Sequence, residues 1–244
     1  MSKLRAAIVG ATGMAGQQFA LALSDHPLFE VGCMVTSRSV ATYAQALRES
    51  DGSSRWTLGV DIPEDMRDVP VIASEAFEAR SVDVVFTAVE SDVARQLEPR
   101  FARTTPTFST ASAHRYDDDT PLIVTGVNDA HASLIRAQQS RRGWRGYVLP
   151  IPNCTVTGLA ITLSPIARAF GLQMVHMVSM QAVSGAGRSP GVRHLDIADN
   201  VVPLRLNYPT PEINERLSLV KIIPEGTDPA TLLEKPNGTG PWKI

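Results

Sequence analysis

The sequence predicts an α/β fold in which a doubly wound parallel sheet is followed by a second domain. Short runs rich in β-branched and aromatic residues alternate with amphipathic stretches over the first 150 residues, which is typical of parallel βαβ units. A glycine-rich turn separates the first of these runs from the first amphipathic stretch. The alternation stops near residue 150, so we divide the chain into residues 1–150 and residues 151–244.

Each predicted strand is a short apolar run bounded by turn residues, and each predicted helix is an amphipathic stretch between two such runs. The predicted strands are Arg5–Val9, Glu30–Val35, Val69–Ala73, Val82–Val89 and Thr107–Ser109. The predicted helices are Met14–Ser24, Ser91–Arg103 and Asp129–Arg141. In the second domain we predict a helix that begins after Asn153 and ends near Phe170, then a buried strand over Met174–Met180.

Composition and charge indicate which kinds of molecule the protein binds. Hydrophobic residues make up 43% of the 244 positions, charged residues 20%, and the formal net charge is -2. These values are typical of a soluble globular protein and give no support to a nucleic-acid or membrane partner. No run approaches the roughly eighteen apolar residues that a membrane-spanning helix needs. We expect small-molecule partners.

The two cysteines, Cys33 and Cys154, lie far apart and have no close spacing to histidine. This argues against a disulfide framework and a structural zinc site, and we expect no metal. The N-terminus passes directly into the glycine turn without the apolar core of a signal peptide. These features predict a cytoplasmic protein.

The turn in "AAIVGATGMAGQQF" is a candidate dinucleotide site of the Rossmann type. Its glycines follow a predicted strand and open a predicted helix, where a pyrophosphate can approach the backbone and face a helix N-terminus. The spacing G-x-x-G-x-x-G differs from the commoner G-x-G-x-x-G, and an ordinary tight turn is the alternative. The candidate cofactor-binding residues are Gly10, Thr12, Gly13, Met14 and Gly16.

The segment "MVTSRSVA" closes the second predicted strand and indicates which dinucleotide binds. A fold that prefers NAD usually presents an acidic residue there to the ribose hydroxyls. Ser37, Arg38 and Ser39 offer a cation and hydroxyl groups instead. These groups suit a 2′-phosphate, so we predict NADP, with a solvated arginine at a strand end as the alternative.

The segment "PIPNCTVTGLAITL" places Cys154 on the first turn of a predicted helix, with Asn153 as its N-cap. Free amides and the positive end of the helix dipole favour the thiolate, which is the reactive form of cysteine. Free cysteine is also among the most buried residue types. A nucleophile and an inert buried thiol therefore both remain open on these residues alone.

Five segments in register carry a family resemblance: "GATGMAGQQF", "STASAHRYDDDTPL", "PNCTVTGL", "MQAVSGAG" and "LDIADNVVP". Together they resemble aspartate-semialdehyde dehydrogenases, most closely the archaeal and fungal branch, from about Leu4 to Pro203. The resemblance implies a Rossmann-type domain followed by an α+β catalytic and dimerisation domain. It also implies NADP as cofactor and a homo-oligomer, either a dimer or a tetramer.

The resemblance assigns a role to each matching residue. Cys154 would attack the acyl carbon of β-aspartyl phosphate to form a thioester, which NADPH reduces to aspartate semialdehyde, with release of phosphate. Asn153 would help to place the acyl group and its oxyanion, and Gln181 would orient the substrate. Arg115 would bind the phosphate group, although an ion pair with one of the aspartates at 117–119 is its alternative. The nicotinamide end would meet Ser184, Gly185 and Gly187.

The second domain departs from the family pattern. The family's acid–base histidine lies in a segment resembling R-V-P-V-x-x-G-H-x-E, and the 244 residues contain no such segment. The histidines after Cys154 are His176 and His194, and neither matches the catalytic one. We therefore expect this domain to be truncated, either by an internal deletion or by an unrelated tail from Leu204 onward.

Other functions remain open. N-acetylglutamyl-phosphate reductases have P-G-C around the nucleophile, whereas this chain has P-N-C. Malonyl-CoA reductase resembles the same archaeal branch and is harder to separate. A short-chain dehydrogenase is disfavoured, because no tyrosine has a lysine four residues later. A third possibility is a catalytically incomplete protein that binds NADP but does not turn over.

Overall fold

The computed structural model of the protein describes residues 2–172, 174 and 175. Six strands form one parallel sheet in the order β3-β2-β1-β4-β5-β6. Their bounds are Leu4–Val9 (β1), Phe29–Thr36 (β2), Val71–Ala73 (β3), Val84–Thr87 (β4), Thr107–Ser109 (β5) and Val148–Pro150 (β6). This strand order reverses between β1 and β4, as in a Rossmann fold, and confirms the predicted doubly wound sheet.

Six α-helices accompany these strands in the described part of the chain. They are Met14–Leu23 (α1), Tyr43–Ala46 (α2), Glu64–Arg67 (α3), Ser91–Ala102 (α4), Leu134–Arg142 (α5) and Cys154–Phe170 (α6). Two 3-10 helices lie at Ala79–Ser81 and Asp129–Ser133. Within residues 2–172, no helix is long and apolar enough to cross a membrane.

The hydrophobic core lies on both faces of the sheet. Side chains alternate along β1, so that Ala6 and Ile8 join one buried cluster while Ala7 and Val9 join the other. The first cluster includes Tyr43 of α2, and the second includes residues of α4. Burial on both faces explains why the strands are apolar runs rather than alternating ones.

Several predicted boundaries are wrong. The strand predicted from Val69 begins at Val71, because the Val69 amide donates to the Met66 carbonyl to close α3 and Pro70 has no amide hydrogen. The strand predicted over 82–89 is β4 alone, preceded by a 3-10 helix. The helix predicted from Asp129 opens as a 3-10 helix and becomes α5 only at Leu134.

Four short elements were missing from the sequence prediction: β6, α2, α3 and the 3-10 helix Ala79–Ser81. Each has four residues or fewer, which is too short to show a period. Of the predicted strand Met174–Met180, the two described residues, Met174 and Val175, lie in no regular element, and the remainder lies outside the described residues.

Candidate functional site

The parallel strands bring most candidate residues to one edge of the sheet. The glycine turn follows β1, the segment 37–39 follows β2, Arg115 follows β5, and Cys154 follows β6. Ligands of open α/β sheets bind beyond the carboxyl ends of such strands. Gln181, Ser184, Gly185 and Gly187 lie outside the described residues, as do both histidines that follow Cys154.

The glycine turn fits closely between β1, α1 and β4. Gly10 has a φ of +78°, and a Cβ atom there would lie 2.3 Å from the Ala88 carbonyl oxygen. A Cβ atom on Gly16 would lie 2.2 Å from the Gly10 carbonyl oxygen. These two glycines are therefore required by the backbone itself, whatever ligand the turn binds.

The N-terminus of α1 suits an anion. Gly13 is its N-cap and forms no side-chain capping bond, and the first turn contains no acidic residue. Gly13 and Met14 are exposed, so the first amides of the helix face an open surface. A dinucleotide pyrophosphate fits these features.

The segment after β2 carries an exposed cation. Ser37, Arg38 and Ser39 are all exposed, and Arg38 takes part in no salt bridge of the described residues. The Thr36 hydroxyl donates to the Arg38 carbonyl oxygen at 2.6 Å and fixes the backbone there. The Ser39 hydroxyl accepts a hydrogen bond from the Ala73 amide at 2.8 Å. The guanidinium of Arg38 is thus available to a phosphate group.

Cys154 is the first residue of α6, and the predicted N-cap is confirmed. The Asn153 side-chain oxygen accepts a hydrogen bond from the Thr155 amide at 3.0 Å. The Asn153 carbonyl oxygen accepts two further bonds, from the amide and the hydroxyl of Thr157. Cys154 is exposed in the described part of the chain, so these residues do not bury its thiol. Cys33 is the buried cysteine, and burial raises its pKa to about 11.

Arg115 joins the segment after β5 to the segment before Cys154. Its Nε donates to the Ile151 carbonyl oxygen at 3.0 Å, and its Nη2 donates to the Thr110 carbonyl oxygen at 2.9 Å. Burial lowers the pKa of Arg115, while negative charge on Tyr116 or Cys154 acts to raise it. The guanidinium is thus anchored to the backbone three residues before Cys154.

The expected alternative for Arg115, an ion pair with the neighbouring aspartates, is wrong. Among the described residues, Asp117 and Asp119 form salt bridges with Arg142 of α5, and Asp117 also lies 2.8 Å from His114 Nδ1. Arg142 Nε donates to Asp119 Oδ2 at 2.6 Å, and its Nη2 donates to Asp117 Oδ2 at 3.0 Å and to Asp119 Oδ1. Asp117 and Asp119 therefore bind α5 through Arg142, and they leave the guanidinium of Arg115 without an ion pair among the described residues.

Comparison with known proteins agrees with this arrangement. A family model described as "Semialdehyde dehydrogenase, NAD binding domain" matches residues 5–135, and one described as "Semialdehyde dehydrogenase, dimerisation domain" matches residues 163–227. The chain belongs to the semialdehyde dehydrogenase family. The second match includes most of the second half of α6 and continues beyond the described residues.

Individual relatives point to the same family. The aspartate-semialdehyde dehydrogenase of Methanothermobacter thermautotrophicus is 40% identical over 198 residues, which cover 80% of this chain and 55% of that protein. The malonyl CoA reductase (NADP) of Metallosphaera sedula is 33% identical, over 87% of this chain and 58% of that protein. The chain thus spans little more than half the length of the curated relatives it matches.

A solved structure matches the fold. The structure of aspartate semialdehyde dehydrogenase with NADP from Candida albicans superposes with a TM-score of 0.66 at 31% identity. The match covers 84% of this chain and 57% of that chain.

A buried polar network beneath the site was not found from the sequence. Glu98 of α4 is fully buried, and its Oε1 accepts hydrogen bonds from the hydroxyls of Thr87 and Ser109, both at 2.6 Å. Its Oε2 lies 3.8 Å from His114 Nε2, and neither atom has a hydrogen-bond partner among the described residues. His114 Nδ1 in turn lies 2.8 Å from Asp117 Oδ2.

This network connects the ends of β4 and β5 to the residue that precedes Arg115. The signal for it was the helical period of α4, in which Glu98 shares a face with the buried residues Ala94, Phe101 and Ala102. A glutamate on the apolar face of a helix implies buried partners.

Replacement of Arg142 by Gln is expected to make the stability of the protein more sensitive to acid. Burial alone would raise the pKa of Asp117, but the hydrogen bonds and charges of His114 and Arg142 outweigh burial and lower it. A lowered carboxyl pKa stabilises the fold above the unfolded-state pKa, and this stabilisation is lost as pH falls through the folded-state pKa. Without Arg142 the loss should begin at a higher pH, together with a loss of about 2 kcal/mol at neutral pH.

Urea unfolding followed by circular dichroism between neutral pH and pH 3 measures this effect. Arg80→Gln is the matched control, because Arg80 pairs with Glu78 at 3.4 Å and both side chains are mostly exposed. Parallel stability curves for the parent and the Arg142 variant would contradict the prediction.

Proposed function

We propose that this chain is an NADP-dependent aspartate-semialdehyde dehydrogenase that reduces β-aspartyl phosphate through a thioester on Cys154. The observation that carries the proposal is the position of Cys154. It is exposed on the first turn of α6, three residues after the Ile151 carbonyl group that Arg115 binds, at the sheet edge that also holds the glycine turn. We place the domain boundary near residue 150, between β6 and α6, so that residues 1–150 bind the cofactor and residues 151–244 belong to the catalytic and dimerisation domain.

Two segments of the first domain are proposed to hold NADP. The pyrophosphate would face the glycine turn and the first amides of α1, at Gly10, Thr12, Gly13, Met14 and Gly16. The 2′-phosphate would meet the exposed segment Ser37, Arg38 and Ser39, which supplies a cation. When bound, the cofactor supplies the hydride that reduces the acyl group. The NADP present in the related Candida albicans structure supports this choice of nucleotide.

Residues near the end of β6 are proposed to carry the acyl chemistry. The Cys154 sulfur attacks the acyl carbon, and the phosphate leaves as the thioester forms. The first amides of α6 favour the thiolate and can stabilise the oxyanion. Arg115 uses Nε and Nη2 to hold backbone carbonyl groups, and its Nη1 is proposed to bind the phosphate. Asn153 caps the helix and keeps the sulfur in position.

Gln181 is proposed to orient the substrate. Ser184, Gly185 and Gly187 are proposed to meet the nicotinamide end of the cofactor.

A second candidate substrate is an acyl-CoA. The similarity to the malonyl CoA reductase (NADP) of Metallosphaera sedula extends over 87% of this chain, which favours this candidate above other acyl reductases. The cysteine step is the same, with the CoA thiol leaving in place of phosphate. The absence of the family's histidine segment from the 244 residues keeps a third candidate, an NADP-binding protein without turnover.

We further propose that the protein is a homo-oligomer in the cytoplasm. No residue of α6 is buried against the described part of the chain, and Ile161, Ile166 and Phe170 expose apolar side chains, Phe170 to 86%. The dimerisation-domain match begins within this helix. The two cysteines are free in the structure, which suits a reducing compartment.

Turnover of NADP with aspartate semialdehyde and phosphate, followed by the absorbance of NADPH, tests the proposed reaction. Cys154→Ala is expected to lower the rate by about a thousandfold or more, because the thioester can no longer form. Cys33→Ala is the matched control. Cys33 belongs to β2 and its buried side chain packs in the core, so its loss should leave turnover close to that of the parent.

Other outcomes separate the candidates. Oxidation of NADPH with malonyl-CoA, but none with β-aspartyl phosphate, would favour the acyl-CoA reductase. Binding of NADP without turnover of either substrate would contradict the enzymatic proposal and leave an NADP-binding protein.

A further inference from the structure

Two buried polar side chains, Tyr43 and Gln17, form hydrogen bonds with the backbone of the glycine turn on its buried side. Tyr43 of α2 is fully buried, and Gln17 of α1 is only 1% exposed. The Tyr43 hydroxyl donates to the Ala11 carbonyl oxygen at 2.7 Å, and Gln17 Nε2 donates to the Thr12 carbonyl oxygen at 3.0 Å. A buried polar side chain is retained only where it has a hydrogen-bond partner. For both residues a partner lies in the turn itself.

With these two bonds, every backbone carbonyl oxygen at positions 10–12 of the turn accepts a hydrogen bond. The Gly10 carbonyl oxygen accepts from the Gly13 amide at 3.0 Å, so the three consecutive carbonyl groups at 10, 11 and 12 are all paired within the protein. The C=O and N–H of one peptide unit point in opposite directions. The bond from Tyr43 to the Ala11 carbonyl therefore turns the Thr12 amide away from the buried side. The Thr12 amide forms no hydrogen bond within the described residues.

Tyr43 itself is held rigidly. Its amide donates to the Val69 carbonyl oxygen at 2.9 Å, and its ring packs edge-on against Trp56 with centroids 6.4 Å apart. Burial raises the pKa of Tyr43, so its hydroxyl remains a donor at neutral pH.

Gln17 is equally constrained. Its Nε2 also donates to the Arg55 carbonyl oxygen at 2.7 Å, and its Oε1 accepts from the Thr57 amide at 2.9 Å. The turn is therefore connected to the segment 55–57 and to α2, not only to its own strand and helix.

We propose that Tyr43 is a positioning residue for the pyrophosphate of NADP, with Gln17 in the same role at the next carbonyl. Tyr43 does not touch the cofactor. It holds the Ala11–Thr12 peptide so that the Thr12 amide joins the free amides of α1 in facing the phosphates. This inference rests on the proposed NADP site.

Titration calorimetry of the full chain with two ligands tests the inference. NADP contains the pyrophosphate, whereas adenosine 2′-monophosphate contains the 2′-phosphate expected at Arg38 but no pyrophosphate. For Tyr43→Phe we expect the Kd for NADP to rise about tenfold, the size of one well-placed hydrogen bond, and the Kd for adenosine 2′-monophosphate to change less than about twofold. Tyr147→Phe is the matched control, because no hydrogen bond from the Tyr147 hydroxyl occurs among the described residues, and it should leave both Kd values unchanged.

The outcomes distinguish this inference from the function on which it rests. If the parent binds neither ligand, the proposed NADP site and the inference both fail. If the parent binds NADP and Tyr43→Phe binds it equally well, only the inference is overturned. Equal weakening of both ligands would show a merely structural role and would also overturn it. Should Tyr43→Phe not fold, Gln17→Met removes the donor to the Thr12 carbonyl and must show the same selective loss.

Discussion

Replacement of Gly10 by Ala is expected to lower the free energy of unfolding by at least about 3 kcal/mol and to abolish measurable NADP binding. Gly10 has a φ of +78°, where an alanine is strained. Its new Cβ would also lie 2.3 Å from the Ala88 carbonyl oxygen and 2.8 Å from the Ala88 carbonyl carbon. These are backbone atoms next to the end of β4, so the clash can be relieved only if the turn moves away from the sheet. Chemical denaturation and NADP titration measure the two effects.

The chain offers controls that separate the two causes. Gly52 has a φ of +84°, and a Cβ atom there would meet no atom within 4 Å, so Gly52→Ala introduces the backbone strain without the clash and should cost only about 1 kcal/mol. Gly13→Ala has an ordinary φ, and its Cβ would lie 3.4 Å from its nearest contact, the Gly10 carbonyl oxygen, so it should change stability little. Equal losses for Gly10→Ala and Gly52→Ala would contradict the close fit of the turn against β4.

Local signals in the sequence predicted the parts of the site that depend on neighbouring residues. The glycine turn between β1 and α1 and the N-cap at Asn153 are short-range features, and the structure has both where the sequence placed them. The predicted end of α6 near Phe170 is also confirmed. The next residue, Gly171, has a φ of +74°, a conformation that glycine adopts readily at the end of a helix.

Contacts between distant residues were not predictable in the same way. Tyr43 and the Ala11 carbonyl are 32 positions apart, and Arg142 and Asp117 are 25 positions apart. No periodicity couples such pairs, because they meet only when the sheet assembles. The sequence therefore offered a neighbouring aspartate as the alternative partner of Arg115, whereas the fold pairs Asp117 and Asp119 with Arg142 of α5.

Replacement of Glu98 by Leu is expected to lower the free energy of unfolding by about 3–5 kcal/mol, the range for the loss of a shared partner in a buried polar network. The hydroxyls of Thr87 and Ser109 would both lose their acceptor at 2.6 Å. Both residues are fully buried at the ends of β4 and β5, so water cannot replace the glutamate oxygen without opening the fold. Leucine fills most of the volume, which leaves the lost hydrogen bonds as the main cause.

Glu98→Gln is the matched variant that decides between the hydrogen bonds and the charge. Glutamine keeps an oxygen for Thr87 and Ser109 and can place its amide group toward His114 Nε2, 3.8 Å from the present Oε2. We therefore expect a loss below about 1.5 kcal/mol, measured by urea unfolding at neutral pH. Equal losses for Glu98→Leu and Glu98→Gln would contradict the acceptor role and assign the stabilisation to a negative charge on Glu98. A small loss for Gln with a large loss for Leu means that α4 holds the ends of β4 and β5, and with them the segment of Arg115, through two hydroxyl groups that share one oxygen.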